Sequence, residues 1–346
     1  MMDDSPRITL DAMQQWIGRE HQFAGIDEVS RNDIRRKLEI YCFACPLHDD
    51  AAAAKAHGYR DLVAPVSMTP LWSMPAYWSP GEPVGFAPEL IEKPGGVRIE
   101  VPNPYAKAVN AASEWEYEEP LYPGDCLHGA WKLTEIKPRQ TRLGDGAFLT
   151  FEMQIFKQTG ARVAINRNTL FRYNPAAPAG GDEARTRPAA AAPVQEVPVT
   201  PATFDWTPQL RFSDVTVGDP VPPFAMWLSY QRIVMGVAAD RMYSGIHHNR
   251  DQARANGLAD IIFNTRGYEM LFEVTLRRWI GLDGRIRKLG PFRMGASSHP
   301  GDTISCRGKV TGKEDRLGRS IVTLDIAVTN PRGEAASGQA EVELPQ

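Results

Sequence analysis

The chain has 346 residues and a formal charge of −3. That length accommodates two domains of ordinary size, each able to bury its own core. The near balance of charge excludes the strong positive field that nucleic acid or an anionic membrane would select.

No apolar run is long enough to cross a bilayer, and Met1-Met2-Asp3-Asp4-Ser5-Pro6 lacks the features of a signal peptide. A cytoplasmic protein is therefore expected. Cys42 and Cys45 form an unmatched C-x-x-C, while Cys126 and Cys306 stand alone. These are too few ligands for a structural zinc, so four buried, reduced thiols are expected. The histidines at 21, 48, 57, 128, 247, 248 and 299 show no ligand spacing, so neither a metal site nor a redox cofactor is implied.

In chain order, residues 8–22 predict a helix that ends at Gly25. A second helix is predicted over 33–41, with Ile34, Leu38 and Ile40 on its apolar side. Prolines 65, 70, 75 and 80 then exclude a long helix. Trp72, Met74, Tyr77 and Trp78, interleaved among them, read either as the wall of a pocket or as a satellite core. Residues 97–173 turn to strands, clearest over 147–156, where apolar positions recur near period two. Residues 175–203 hold six prolines and nine alanines and cannot bury enough surface to fold, which marks a linker. Beyond it, Leu228 to Ala239 leads to His247. A helix is predicted over 264–280 from Gly267, Met270, Leu271 and Val274, stopped by Gly281. Ile321 to Thr329 is a clear strand. The expected organisation is residues 1–174, a linker at 175–203, and residues 204–346. Each half runs from helix to antiparallel strands, an α+β layout.

The two halves share landmarks in the same order. Leu47-His48-Asp49-Asp50 and Ile246-His247-His248-Asn249 both open aliphatic-His-x-[Asp/Asn]-x3-Ala-x3-Gly, closing at Gly58 and Gly257. Each runs into an Asp and an apolar patch, at Asp61-Leu62-Val63-Ala64 and Asp260-Ile261-Ile262-Phe263. Pro-Gly-Asp comes next at 123–125 and 300–302, and Arg-Leu-Gly at 142–144 and 316–318. A duplicated domain is the economical reading. In the second copy Asn249 is an N-cap candidate, which sets an imidazole beside a helix N-terminus, a placement suited to proton transfer near an anion site.

These residues resemble the MaoC-like, R-specific enoyl-CoA hydratases and acyl dehydratases, whose hot-dog fold wraps a curled antiparallel sheet around a central helix. The two-copy arrangement is similar to double hot-dog members with a dehydratase-like N-terminal half. The resemblance implies two tandem hot-dog domains, a first half that is catalytically silent, and reversible hydration of a 2-enoyl-CoA to an (R)-3-hydroxyacyl-CoA. It further implies a bulky acyl group and a homodimer. Coenzyme A would enter as part of the substrate, with no other cofactor.

His247 matches the family histidine. The backbone amides of Thr265, Arg266 and Gly267 fall where the family stabilises the thioester oxyanion. The family aspartate lies five residues before the histidine, and that position here is Met242; Asp240, seven before, is the candidate carboxylate. The corresponding position in the first half is Phe43, so His48 is expected to be a structural remnant. Arg277, Arg278, Arg285, Arg287, Lys288 and Arg293 read either as a phosphate-binding cluster or as a solvated face. Two alternatives remain open at this point: a hot-dog acyl-CoA thioesterase, or a non-catalytic acyl-CoA-binding subunit.

Overall fold

The computed structural model describes residues 10–81, 101–175 and 203–346. The first half comprises α1 (Leu10–Gln14), β1 (Glu20–Glu28), α2 (Arg31–Tyr41), α3 (Pro46–Asp49) and α4 (Ala51–Ala56). Two 3-10 turns come after these (Val66–Met68 and Leu71–Ser73), then β2 (Lys107–Tyr117), β3 (Cys126–Thr141), β4 (Gly144–Lys157) and β5 (Arg162–Pro175). The second half comprises β6 (Pro220–Trp227), α5 (Tyr230–Asp240), α6 (Arg250–Ala255), α7 (Thr265–Ile280), β7 (Arg285–Met294), β8 (Thr303–Arg316), β9 (Arg319–Asn330) and β10 (Gly333–Glu343). The expected linker lies almost wholly outside the described residues.

One antiparallel sheet holds ten strands in the order β1-β3-β4-β5-β2-β7-β10-β9-β8-β6. Outward from the β2–β7 seam, each half repeats the same order of strands. The seam pairs Ser113 with Phe292 and Trp115 with Leu289. The repeated landmarks sit at matching places. Asp125 and Asp302 are buried, and each accepts the amide three residues behind it, from Tyr122 at 2.9 Å and from His299 at 2.7 Å. Both Arg-Leu-Gly segments turn hairpins, between β3 and β4 and between β8 and β9.

The helix expected over 8–22 is not formed beyond Gln14; Glu20–Glu28 is a strand paired with β3. Period-two alternation of His21, Phe23 and Gly25 wins there. Gly25 is required because a Cβ would lie 1.8 Å from the Trp72 carbonyl oxygen. The expectation of four buried thiols holds for Cys45 and Cys306, whereas Cys42 and Cys126 are exposed.

The copies differ most beyond the His loop. The second half continues into α7, whose residues from Gly267 to Arg277 are all buried. One apolar face was expected, yet Glu269, Glu273 and Arg277, four apart, form a buried charged stripe, of which the two glutamates bond to the first half. Glu273 accepts the Val66 and Ser67 amides, each at 2.8 Å. It thereby anchors the 3-10 turn that stands where the first half would otherwise place its own helix. Pro65, Pro70 and Pro75 forbid that helix, since each lacks an N–H and clashes with the turn before it. The inner face of the first-half sheet is therefore left facing a cleft. Of the residues expected there, Met74 lines the cleft, beside Pro70 and Ser73, whereas Trp72 belongs to the core and Trp78 is exposed.

Candidate active site

Both His loops fold alike. Asp50 accepts the Ala52 and Ala53 amides and caps α4; Asn249 accepts the Gln252 amide and caps α6. Ala54 and Ala253 are fully buried, and Gly58 and Gly257 close the helices at φ of 83° and 80°. Each imidazole is tied to a carbonyl fifteen residues on: His48 Nδ1 lies 2.6 Å from Val63 O, and His247 Nδ1 lies 2.9 Å from Ile262 O. A carbonyl only accepts, so Nδ1 carries the proton in both rings and Nε2 keeps its lone pair.

Space separates the two copies. The cavity beside His48 has a volume of about 40 Å³, and Nε2 is enclosed there without a partner. The cleft beside His247 has about 530 Å³, within the range of small-molecule sites. Burial drives the His48 pKa down to about 3. Burial also lowers that of His247; His248 acts in the same direction, while the Ile262 bond and the charge of Asp240 oppose it. His247 is thus a neutral proton acceptor at pH 7.

The buried His48 makes stability pH-dependent. Its folded pKa lies below the ordinary 6.5, so below that pH the unfolded chain binds a proton that the fold refuses. No cost exists above about pH 6.5; below it, stability falls by about 1 kcal/mol per pH unit. Urea midpoints measured between about pH 6.5 and pH 5 should show this slope, and His48→Gln should reduce it to the share left by His247.

At the start of α7, Asn264 Oδ1 accepts the Gly267 amide at 2.6 Å. Gly267 is required because a Cβ would meet the Phe263 ring at 2.3 Å. Its N–H is spent on the cap, so Gly267 is corrected as an oxyanion donor. Among the described residues the amides of Thr265 and Arg266 have no acceptor, as expected of the first positions of a helix. Both residues line the cleft with His247.

Asp240 ends α5 and is buried. Its Oδ1 pairs with Lys37 of α2, also buried, and Oδ2 has no partner. Asp240 is not among the lining residues, whereas Met242 is. Among the described residues the carboxylate that lines the cleft is Glu269, which sequence reasoning missed because a glutamate on a helix reads as solvent-facing. Its four-residue spacing to Glu273, and on to Arg277, was the available signal.

The basic cluster does not assemble around a phosphate. Arg277 donates to the Gly281 and Gly284 carbonyls, Arg287 pairs with Glu343, and Lys288 pairs with Glu114. Arg278 lies over Phe204 and Arg285 over Tyr59. Among the described residues, no group of three or more His, Cys, Asp or Glu side chains is placed to hold a metal. No helix among them is long and apolar enough to cross a membrane.

A family profile described as FAS1-like, dehydratase domain region, matches residues 15–166. A probable enoyl-CoA hydratase alpha subunit of Thermomonospora curvata is 31% identical over 166 residues, 47% of this chain and 51% of that protein. The chain thus spans about half the length of that relative. A UPF0336 protein of Saccharopolyspora erythraea is 30% identical over 171 residues, 49% of this chain and 97% of that protein. A solved MaoC-like dehydratase superposes with a TM-score of 0.67 at 20% identity, covering 96% of this chain and 99% of the other, and shares its fold. With a FAS1-like dehydratase domain region over residues 15–166, and 97% of a UPF0336 protein matched by about half of its length, the chain belongs with the UPF0336 proteins in sequence and has the double hot-dog fold of solved MaoC-like dehydratases.

Proposed function

We propose that this chain reversibly hydrates a 2-enoyl-CoA to the (R)-3-hydroxyacyl-CoA in the cleft beside His247. The observation that carries the reading is a neutral imidazole with a free Nε2 in the same cleft as two unengaged amides at a helix N-terminus. The thioester carbonyl accepts from the Thr265 and Arg266 amides, so charge developing on its oxygen meets fixed donors. His247 Nε2 takes a proton from water as the water oxygen bonds to the β-carbon. The alkene electron pair moves towards the thioester, and the imidazolium returns that proton to the α-carbon. Asp240, facing Lys37, acts by raising the proton affinity of His247 through its charge. The (R) outcome rests on the family resemblance.

The inner sheet face supplies room for a bulky acyl group. Phe151 and Met153 offer apolar surface there, and Asn110, Asn166 and Asn168 place carboxamides beside it. Asn110 Oδ1 is buried without a partner, which suits an acyl group bearing its own polar function, because an unmatched buried acceptor is costly.

The test is loss of enoyl-thioester absorbance on adding purified chain to a panel of trans-2-enoyl-CoAs, with the configuration of the product determined. Turnover is expected, and fastest with bulky acyl groups that carry a hydroxyl or keto group. Release of coenzyme A thiol from a saturated acyl-CoA would favour a thioesterase instead. Met242 at the family's carboxylate position motivates a second reading, a binding subunit whose partner supplies the acid. Tight acyl-CoA binding without turnover of any enoyl-CoA would select it.

A further inference from the structure

We infer that Glu269, on the central helix, supplies the carboxylate that orients the attacking water, in place of the residue replaced by Met242. This inference rests on the hydratase reading above. Three observations lead to it. Met242 lines the cleft, so the position reaches the site but offers no oxygen. Asp240 lies off the cleft lining and is committed to Lys37. Glu269, only 1% exposed, lines the cleft together with His247.

The hydrogen bonds of Glu269 leave it room to act. Oε1 accepts from Ser113 Oγ and Trp115 Nε1, both at 3.2 Å, and Oε2 accepts from Arg266 Nη1 at 3.1 Å. A carboxylate has about four acceptor sites, two on each oxygen. Three are filled, and the one left is on Oε2. The same contacts fix the side chain, since Ser113 and Trp115 stand on β2 and Arg266 precedes Glu269 by three residues on α7. A water bound between His247 Nε2 and Glu269 Oε2 would donate one hydrogen to each. The proton given to His247 leaves as oxygen bonds to the β-carbon and returns to the α-carbon. The other hydrogen stays on oxygen and becomes the product hydroxyl. Glu269 remains a carboxylate throughout, so the step balances without a second acid.

Glu269→Gln keeps the size of the side chain and removes its charge. With the enoyl-CoA that the wild-type chain turns over fastest, kcat should fall about 10²-fold while KM holds; the melting temperature falls in any case, because Arg266 loses its counter-charge. Adding Met242→Asp to that variant should recover at least about tenfold of the loss, by returning a carboxylate to the cleft. If Glu269→Gln does not fold, Glu269→Asp is read in the same way, with a smaller fall in kcat at constant KM. Wild-type kcat in either variant overturns the inference and leaves the hydratase reading standing. A rise in KM with no greater fall in kcat than in stability-matched control variants also overturns it, because Glu269 would then only hold the cleft wall. A wild-type chain that turns over no enoyl-CoA removes the hydratase reading, and this inference with it.

Discussion

His247→Ala is expected to lower kcat by about 10²–10⁴-fold, the usual worth of a positioned general acid–base group. Every proton that changes place in the proposed reaction passes through this ring. Its Nδ1 is committed to Ile262 and its Nε2 alone remains free, so no other tautomer offers the cleft an acceptor. A fall in kcat at constant KM, measured with the preferred enoyl-CoA, would mark an interaction made only in the transition state. Removing the ring also strips the half-buried Ile262 carbonyl of its donor, at a cost of about 1 kcal/mol where water from the cleft can replace it, so a denaturation curve must accompany the kinetics. The pH profile carries a further sign. Burial holds the His247 pKa below 6.5, against the opposing charge of Asp240. Activity should therefore persist through neutral pH and decline only below the ordinary imidazole range. Unchanged turnover in the alanine variant would take His247 out of the chemistry.

Lys37→Met is expected to destabilise the fold by about 3–5 kcal/mol. Lys37 and Asp240 are both buried, lie 203 residues apart, and join the two halves by their ion pair. Taking away the ammonium leaves a carboxylate in the interior with one oxygen already unpartnered, and an unpaired buried charge is expensive. The pair itself is a weaker asset than that loss suggests, because both ions were desolvated to form it. Lys37→Met combined with Asp240→Leu should therefore recover most of the stability. Urea midpoints of the two single variants and the double variant form the cycle that separates the cost of isolation from the worth of the pair. Equal destabilisation in the double and in Lys37→Met would defeat this account.

The duplication was legible because its marks are local: a histidine, a cap, a small residue and a closing glycine within eleven positions. The central helix was legible for the same reason, from Met270, Leu271 and Val274. What escaped depends on distance along the chain. Nothing near Asp240 announces Lys37, although on α2 Lys37 shares the face of Ile34, Leu38 and Tyr41 while its exposed neighbours Arg35 and Arg36 do not. Glu269 looked like a surface residue because helical periodicity says which side is polar, without saying that another half of the same molecule covers that side. β1 reads as helix because a short segment can satisfy both periods, and only its pairing with β3 decides.

The unwound segment from Pro65 to Ser73 has a consequence for how such tandem proteins diversify. A pocket is usually pictured as carved into a finished core. Here, volume comes from withholding a helix in one copy while the other copy keeps the helix that both lean upon. After doubling, the two sequences answer to separate demands, one to preserve reacting groups and the other to preserve emptiness of a given shape. Changes of acyl preference among such chains should accordingly gather in the copy that carries no chemistry.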